Sequence, residues 1–381
     1  MIGSELNSSR TQRTWTLSAR LLSALHLDGA LFTGLCLLAL IGLVVVYSAS
    51  NGNVGKLEGQ MGKLALALVV MLVFAQVPPR LIRVGAPWMY LVGLVLLIAV
   101  SFFGEVSMGA RRWLDLGIRF QPSEIMKIAM PLTCAWYLHE RPLPPSFVNV
   151  VVMVAAIAIP GALIYVQPDL GTAILVAAAG AMVVLLAGLR VRYIIIAAGA
   201  FLGVIIAGIL TDWSFLHGYQ RQRVLTLFDP QTDPLKSGYH IIQSQIAIGS
   251  GGVFGKGYMN GSQGQLDFLP EPDTDFIFAV IGEEWGFFGL LIVLLLYVFV
   301  IGRGLYLAAT AQDTFARLVT GSFSLTFAVY ALINAGMVTG LLPVVGVPLP
   351  LISYGGTSMV TLMAGFGILM AVNARRRLVG R

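Results

Sequence analysis

The chain has 381 residues, of which 57% are hydrophobic and 11% charged, against about 25% charged in an ordinary soluble domain. So few charges cannot cover a water-facing surface, which excludes a soluble globular enzyme. The composition suits helices whose outer faces meet lipid and whose backbone polar groups are paired within each helix. The net charge of +6 matches the Lys/Arg excess of cytoplasmic loops in membrane proteins, so it gives no argument for a nucleic-acid partner.

The first 27 residues are polar, then weakly amphipathic (Trp15, Leu21, Leu22 and Leu25 against Arg13, Ser18 and Arg20). They are expected to be a cytoplasmic tail rather than a cleavable signal peptide, because a long apolar run follows directly with no small-residue cleavage site. A membrane span needs about 20 mostly apolar residues. Ten stretches qualify, at about 30–49, 62–78, 85–103, 122–139, 147–166, 171–189, 192–211, 275–301, 316–339 and 356–373. An even number of spans puts both termini on one side. The short connections on that side carry Arg80, Arg83, Arg141, Arg190, Arg192, Arg303 and Arg317, so the positive-inside rule makes it cytoplasmic. The expected fold is an all-α polytopic membrane protein with a single domain over 1–381. Two long connections, about 104–121 and 212–274, then lie outside. The second is rich in glycine and is expected to fold against the outer face with a short amphipathic helix near 239–248.

Cys36 and Cys134 lie in apolar runs, and His26, His139, His217 and His240 are scattered without ligand spacing. Neither a disulfide framework nor a protein metal site is indicated. No P-loop, HExxH or GxSxG is present, so ATP hydrolysis, zinc proteolysis and a serine nucleophile have no support. What remains is acidic and basic groups at the outer boundary. Asp275 is the last acid of the long loop before an apolar run. Spacing alone favours a helix N-cap there; partial desolvation would equally raise its pKa toward that of a useful base. Glu283 and Glu284 lie roughly 12–14 Å deeper at 1.5 Å per residue. Acids at that depth are functional candidates by default, but a structural hydrogen bond between neighbouring helices is the preferred reading. In the first outer loop Arg111, Arg112 and Arg119 lead to Pro122, which opens a helix with Glu124 and Lys127 on one face. These cations suit phosphate, and equally attraction to anionic headgroups. Arg221 and Arg223 add a second cationic pair. Asp169 in Gln167–Gly171 reads as a turn or cap residue.

Taken together these segments resemble the SEDS family (shape, elongation, division and sporulation), and within it the elongation rather than the division member. The resemblance runs from the first span to the C-terminus. It rests on Gly109–Glu124 with Arg-Trp-Leu-Asp-Leu-Gly and Phe-Gln-Pro-Ser-Glu, on Gln167–Thr172, on Gln243–Gly252, on Gly255–Phe278 and on Val347–Ser358. One departure is Asp273, where the family often has His before Thr-Asp-Phe-Ile-Phe. The resemblance implies a peptidoglycan glycosyltransferase that polymerises lipid II at the outer face of the cytoplasmic membrane. It implies a class B penicillin-binding protein (a transpeptidase) and other elongation-complex membrane proteins as partners. The family's catalytic Asp maps onto Asp275. Arg112, Trp113, Arg119, Glu124, Lys127 and Arg221 are the expected substrate-binding residues. The chemistry agrees: a pyrophosphate leaving group needs cations or a divalent metal (Mg or Mn) rather than an acid, and the acceptor hydroxyl needs one base. Inversion at C1 by single displacement follows if no covalent intermediate forms. The competing expectation is a flippase for the same lipid-linked precursor, which the ten spans and the acids Glu283 and Glu284 would suit. A transporter, however, places its polar groups near the midplane at broken helices.

Overall fold

The computed structural model describes residues 25–107, 110–115, 119–214, 216, 218–229, 231, 237–266, 268–269 and 271–374. Residues 1–24 of the expected tail over 1–27 and the basic residues 375–377 lie outside them.

Among the described residues ten long helices occupy the ten expected stretches: α1 (Gly29–Ala49), α2 (Val54–Gln76), α3 (Pro79–Phe103), α4 (Pro122–Leu138), α5 (Phe147–Val166), α6 (Leu170–Leu186), α7 (Val191–Leu210), α11 (Ile277–Ala309), α12 (Thr314–Val338) and α13 (Thr357–Ala374). Eight are long and apolar enough to cross a membrane. The other two, α4 and α6, have 17 residues each. Helix α4 packs against α3, α5, α6, α12 and α13. Because it has so little surface to show to lipid, it can carry Glu124 and Lys127 inside the bundle. By contrast α7 buries only Gly208 and is the most lipid-facing helix.

The helix starts are set locally. Asp28 accepts from Leu31 N at 3.0 Å and Asp169 from Thr172 N at 3.2 Å, caps that contribute about 1 kcal/mol each. Pro79 and Pro122 stand in first turns, where no N–H partner is lost.

Two features depart from the sequence reading. The first long connection is a small antiparallel meander, β1 (Glu105–Ser107), β2 (Ala110–Asp115) and β3 (Arg119–Phe120), with Glu105 opposite Trp113 and Asp115 opposite Arg119. Short runs separated by turns form a hairpin rather than an irregular loop. The span expected over 275–301 is also not one continuous helix: α11 is broken at Gly286, with φ +66° and ψ −160°. That backbone conformation is open to glycine. The break exposes backbone groups, which residues 252–257 satisfy. Phe287 N donates to Gly252 O at 3.0 Å, Phe288 N to Val253 O at 3.2 Å, Lys256 N to Glu283 O at 2.9 Å and Gly257 N to Glu284 O at 3.0 Å.

The long connection before α11 is ordered around α8 (Gly218–Phe228), α9 (Ser237–Gly251) and α10 (Ser262–Gln265). Helix α9 is the expected amphipathic helix. It lies on α11 and on the end of α12, where Ser244 Oγ donates to Val338 O at 2.7 Å and Gln245 Nε2 to Thr339 O at 3.0 Å. Direct contacts join the connections at this end of the bundle. Arg112 reaches Pro168, Tyr165 reaches Gln220, and Lys56 reaches Asp273. At the other end Arg303 clasps Asp28 at 2.8 Å and Gln76 donates to Leu25 O.

Candidate active site

Asp275 lies in the turn that leads into α11. It is not the helix cap. The N-cap is Phe276 and no side chain caps this helix, so the reading that spacing favoured does not hold. The backbone of the turn is held instead. Asp273 O accepts from Tyr354 N at 2.7 Å, Thr274 O from Ser353 Oγ at 2.5 Å, and Asp275 O from Asn334 Nδ2 at 2.9 Å. The Asp275 carboxylate forms no hydrogen bond or ion pair with any described residue. Gly346, at φ +71°, stands against it, and a Cβ there would lie 3.3 Å from Asp275 Oδ2. Burial pushes the Asp275 carboxyl up from 3.8 to about 6; the nearby Glu271 carboxylate adds to the shift and the Arg223 guanidinium opposes it. The ring of His240 on α9 stacks on Phe276 at 5.8 Å between centroids and so covers this turn.

Asp273, which stands where the family often has His, is buried and pairs with Lys56 Nζ of α2 at 2.6 Å. Its carboxylate is already engaged. The pair ties the turn to α2.

The expected substrate-binding residues fall into three places. Arg112 and Trp113 lie on β2. Arg112 Nη2 donates to Pro168 O at 2.5 Å and Nε lies 3.9 Å from Asp169 Oδ2. Asp169 also accepts from Gln121 Nε2 at 2.9 Å, so it is both the cap of α6 and the anchor of the meander. Arg119 is in β3 by its backbone; its side chain lies outside the described residues. Glu124 and Lys127 pair at 2.7 Å inside the bundle, with Lys127 Nζ 5.5 Å from the centre of the Tyr330 ring. Arg221 is turned to Asp212, donating to both its backbone and its carboxylate.

The first two places adjoin Asp275 through shared elements. Tyr330, beside Lys127, and Asn334, which holds Asp275 O, are four residues apart on α12, about 6 Å along its axis. Gly171, at the start of α6 beside Asp169, abuts Val345 and Val347, the neighbours of Gly346. Two of the motifs thus share neighbouring elements with Asp275. Arg221 does not join them. Arg223, two residues on, is the cation whose charge acts on Asp275. Its identity as a cation was evident from sequence, but not which of the pair faces Asp275. Asn334 went unnoticed, although a buried amide within a span is the kind of signal that marks a functional site.

Glu283 and Glu284 are tethers, as preferred. Glu283 accepts from Lys256 Nζ at 2.6 Å, Ser262 Oγ at 3.1 Å and Gln263 N at 3.0 Å. Glu284 accepts from Ser48 Oγ at 2.5 Å. They fasten the 252–264 segment and α1 to the broken helix.

A multi-pass membrane protein with a half-buried carboxylate, unpaired among the described residues, at one end of the bundle is the class that fold and site define. Residues 29–378 match the cell cycle protein family of FtsW, RodA and SpoVE, and the chain belongs to that family. It is 51% identical to the peptidoglycan glycosyltransferase MrdB of Escherichia coli strain K12, over 93% of this chain and 96% of that protein. It is 32% identical to the probable peptidoglycan glycosyltransferase FtsW of a Geobacter species, over 90% and 95% of the two chains. Among solved structures it resembles the Thermus thermophilus rod shape determining protein RodA at TM-score 0.69 and 27% identity, covering 92% of this chain and 97% of that one. It also resembles a chain from a study of how a peptidoglycan synthase complex coordinates polymerization and crosslinking, at TM-score 0.79 and 30% identity, covering 92% and 98%.

Proposed function

We propose that this peptidoglycan glycosyltransferase polymerises lipid II at the outer face of the cytoplasmic membrane during cell elongation, with Asp275 as general base. The observation that carries the base assignment is a half-buried carboxylate with no hydrogen-bond or ion-pair partner among the described residues, on a turn whose carbonyls are held by Tyr354 N, Ser353 and Asn334. Asp275 takes the proton of the acceptor sugar hydroxyl as that oxygen attacks C1. The bond from C1 to the pyrophosphate oxygen breaks, undecaprenyl pyrophosphate leaves, and the configuration at C1 inverts. Arg112, Trp113, Arg119, Glu124 and Lys127 bind and orient the substrate, the cations offsetting charge that develops on the pyrophosphate. Arg223 is better placed than Arg221 to serve beside Asp275.

Among the described residues no three His, Cys, Asp or Glu side chains form a metal-binding group. A magnesium or manganese ion accompanying the pyrophosphate would be held mainly by phosphate oxygens and water, with Glu271, exposed at the start of the same turn, as the carboxylate that is not needed as the base. Bound there, it would supply further charge neutralisation.

The break at Gly286 is the feature a flippase reading would cite. The acids beside it, however, are already engaged, Glu283 by Lys256 and Ser262 of the loop and Glu284 by Ser48 of α1, which argues against a role in carrying a travelling headgroup. The partner in this reading is a class B penicillin-binding protein, and both termini are cytoplasmic. A cysteine introduced at exposed Gln222 should react with an impermeant thiol reagent in intact spheroplasts; reaction only after lysis would reverse the orientation. The deciding experiment is strand synthesis from purified lipid II by the wild type and by Asp275→Asn, with binding measured in parallel. Near-normal strands from the variant would end the base assignment.

A further inference from the structure

The carbonyls of Thr274 and Asp275 are held by side chains, not by regular secondary structure. Ser353 Oγ donates to Thr274 O at 2.5 Å and accepts from Leu349 N at 2.8 Å. It therefore links the turn to the segment that precedes α13. Asn334 Nδ2 donates to Asp275 O at 2.9 Å and to Val347 O at 2.8 Å. It links the same turn to the residue next to Gly346, which faces the carboxylate. Asn334 is fully buried and Ser353 nearly so. A buried donor with a carbonyl partner has a defined position, because leaving either group unmade is costly. Both groups act on main-chain oxygens, so neither consumes the carboxylate.

We propose that Asn334 and Ser353 are positioning residues. By holding the carbonyls of Asp275 and Thr274 they fix the Asp275 carboxylate, unpaired, beside Gly346, where it meets the acceptor hydroxyl. The inference rests on the reading of Asp275 as the base. A base must lie within hydrogen-bond reach of the proton it takes, and a misplacement of about 1 Å can cost on the order of 10²-fold. Neither residue needs to touch substrate. Their loss should appear in kcat rather than in substrate binding.

The test uses the full-length protein and purified lipid II. Ser353→Ala removes the hydroxyl, Ser353→Thr keeps it, and Asn334→Leu removes both amide donations at similar volume. Ser353→Ala and Asn334→Leu should lose about tenfold or more in kcat, a loss of the size that misplacement brings, with KM for lipid II within about threefold. Ser353→Thr should recover most of the kcat. Because the two donors act on one turn, the combined variant should lose less than the product of the single losses. Unchanged kcat in Ser353→Ala, a loss confined to KM, or equal losses in Ser353→Ala and Ser353→Thr would overturn the proposal. If Asn334→Leu fails to accumulate in the membrane, the Ser353 pair decides. Asp275→Asn is assayed alongside. Full activity in that variant removes the base reading itself, whereas an inactive Asp275→Asn beside an undisturbed Ser353→Ala removes only the positioning role.

Discussion

Three acids stand within ten residues at the start of α11, and they have opposite fates. Glu283 and Glu284 accept from side chains and backbone on neighbouring segments. The Asp275 carboxylate accepts from no described residue, while the main chain around it is held from α12 and from the segment before α13. A buried acid whose acceptor capacity is filled is a fastening. A half-buried acid left without a partner on a held turn costs stability, and such a cost is retained where chemistry needs it. The comparison breaks if the filled acids prove catalytic or the empty one dispensable.

The largest expected effect is Asp275→Asn. Polymerisation should fall by about 10²–10⁴-fold, the usual range for a general base. Since the side chain caps no helix, the fold should survive. Stability should move the other way. Folding raises the Asp275 pKa from 3.8 to about 6, so the folded state favours the protonated form. That contribution is fully present below about pH 4 and lost as pH rises through about 6. At pH 8 the ionised carboxylate costs up to about 3 kcal/mol, at 1.36 kcal/mol per pKa unit. Asp275→Asn should therefore melt higher than wild type at pH 8 and alike at pH 4. Equal melting temperatures at both would contradict the burial of an unpaired charge.

Glu283→Gln should do the reverse, lowering stability rather than turnover per folded molecule. It breaks the pair with Lys256 and removes acceptors for Gln263 N. Losing one partner of a fully buried ion pair costs roughly 3–5 kcal/mol. The cost here should be smaller, because the Lys256 side chain is 29% exposed. Melting in detergent and strand synthesis normalised to folded protein separate the two effects.

Much of this arrangement was legible in the sequence, for physical reasons that differ by residue. Apolar runs of span length located the ten long helices found among the described residues, because lipid permits few other solutions. Asp275 stood out as the last carboxylate before such a run. The break at Gly286 did not, because a glycine in an apolar run reads the same whether its φ is −60° or +66°. The meander was missed because strands of two to six residues carry too little periodicity. Asp273 was seen to depart from the family's His, but its engagement by Lys56 joins residues more than two hundred positions apart, and no local pattern encodes that. The same holds for Asn334, whose role depends on what the turn before α11 brings to it.

The acid limb of the rate profile offers a finer test. Activity should rise with pH through about 6, as Asp275 ionises. Glu271→Gln removes an anion that raises the Asp275 pKa, so the limb should move to lower pH. Arg223→Gln removes a cation that lowers it, so the limb should move to higher pH. Shifts of the same sign in both variants would mean that another group sets the limb.

The smallest effect sharpens the comparison on the cationic side, between Arg221 and Arg223. The two stand two residues apart on α8, about 200° around the helix at 3.6 residues per turn, so they cannot face the same neighbours. Arg221 is spent on Asp212, and the pair is well exposed, at 40% and 69% of the side chains. Exposed pairs are worth about 0–1 kcal/mol, and Arg221→Ala should leave turnover within about twofold of wild type and strand length unchanged. Arg223 acts on Asp275, and Arg223→Ala should reduce turnover more, while also moving the acid limb upward. The discriminating measurement is the ratio of the two losses at low and at high salt. A general attraction to the membrane surface is screened over a Debye length of about 8–10 Å and would affect both variants alike. An effect exerted within the site would persist for Arg223 alone. If Arg221→Ala proves the more damaging, the pyrophosphate lies on the Asp212 side of α8, and Arg221 returns to the substrate-binding set.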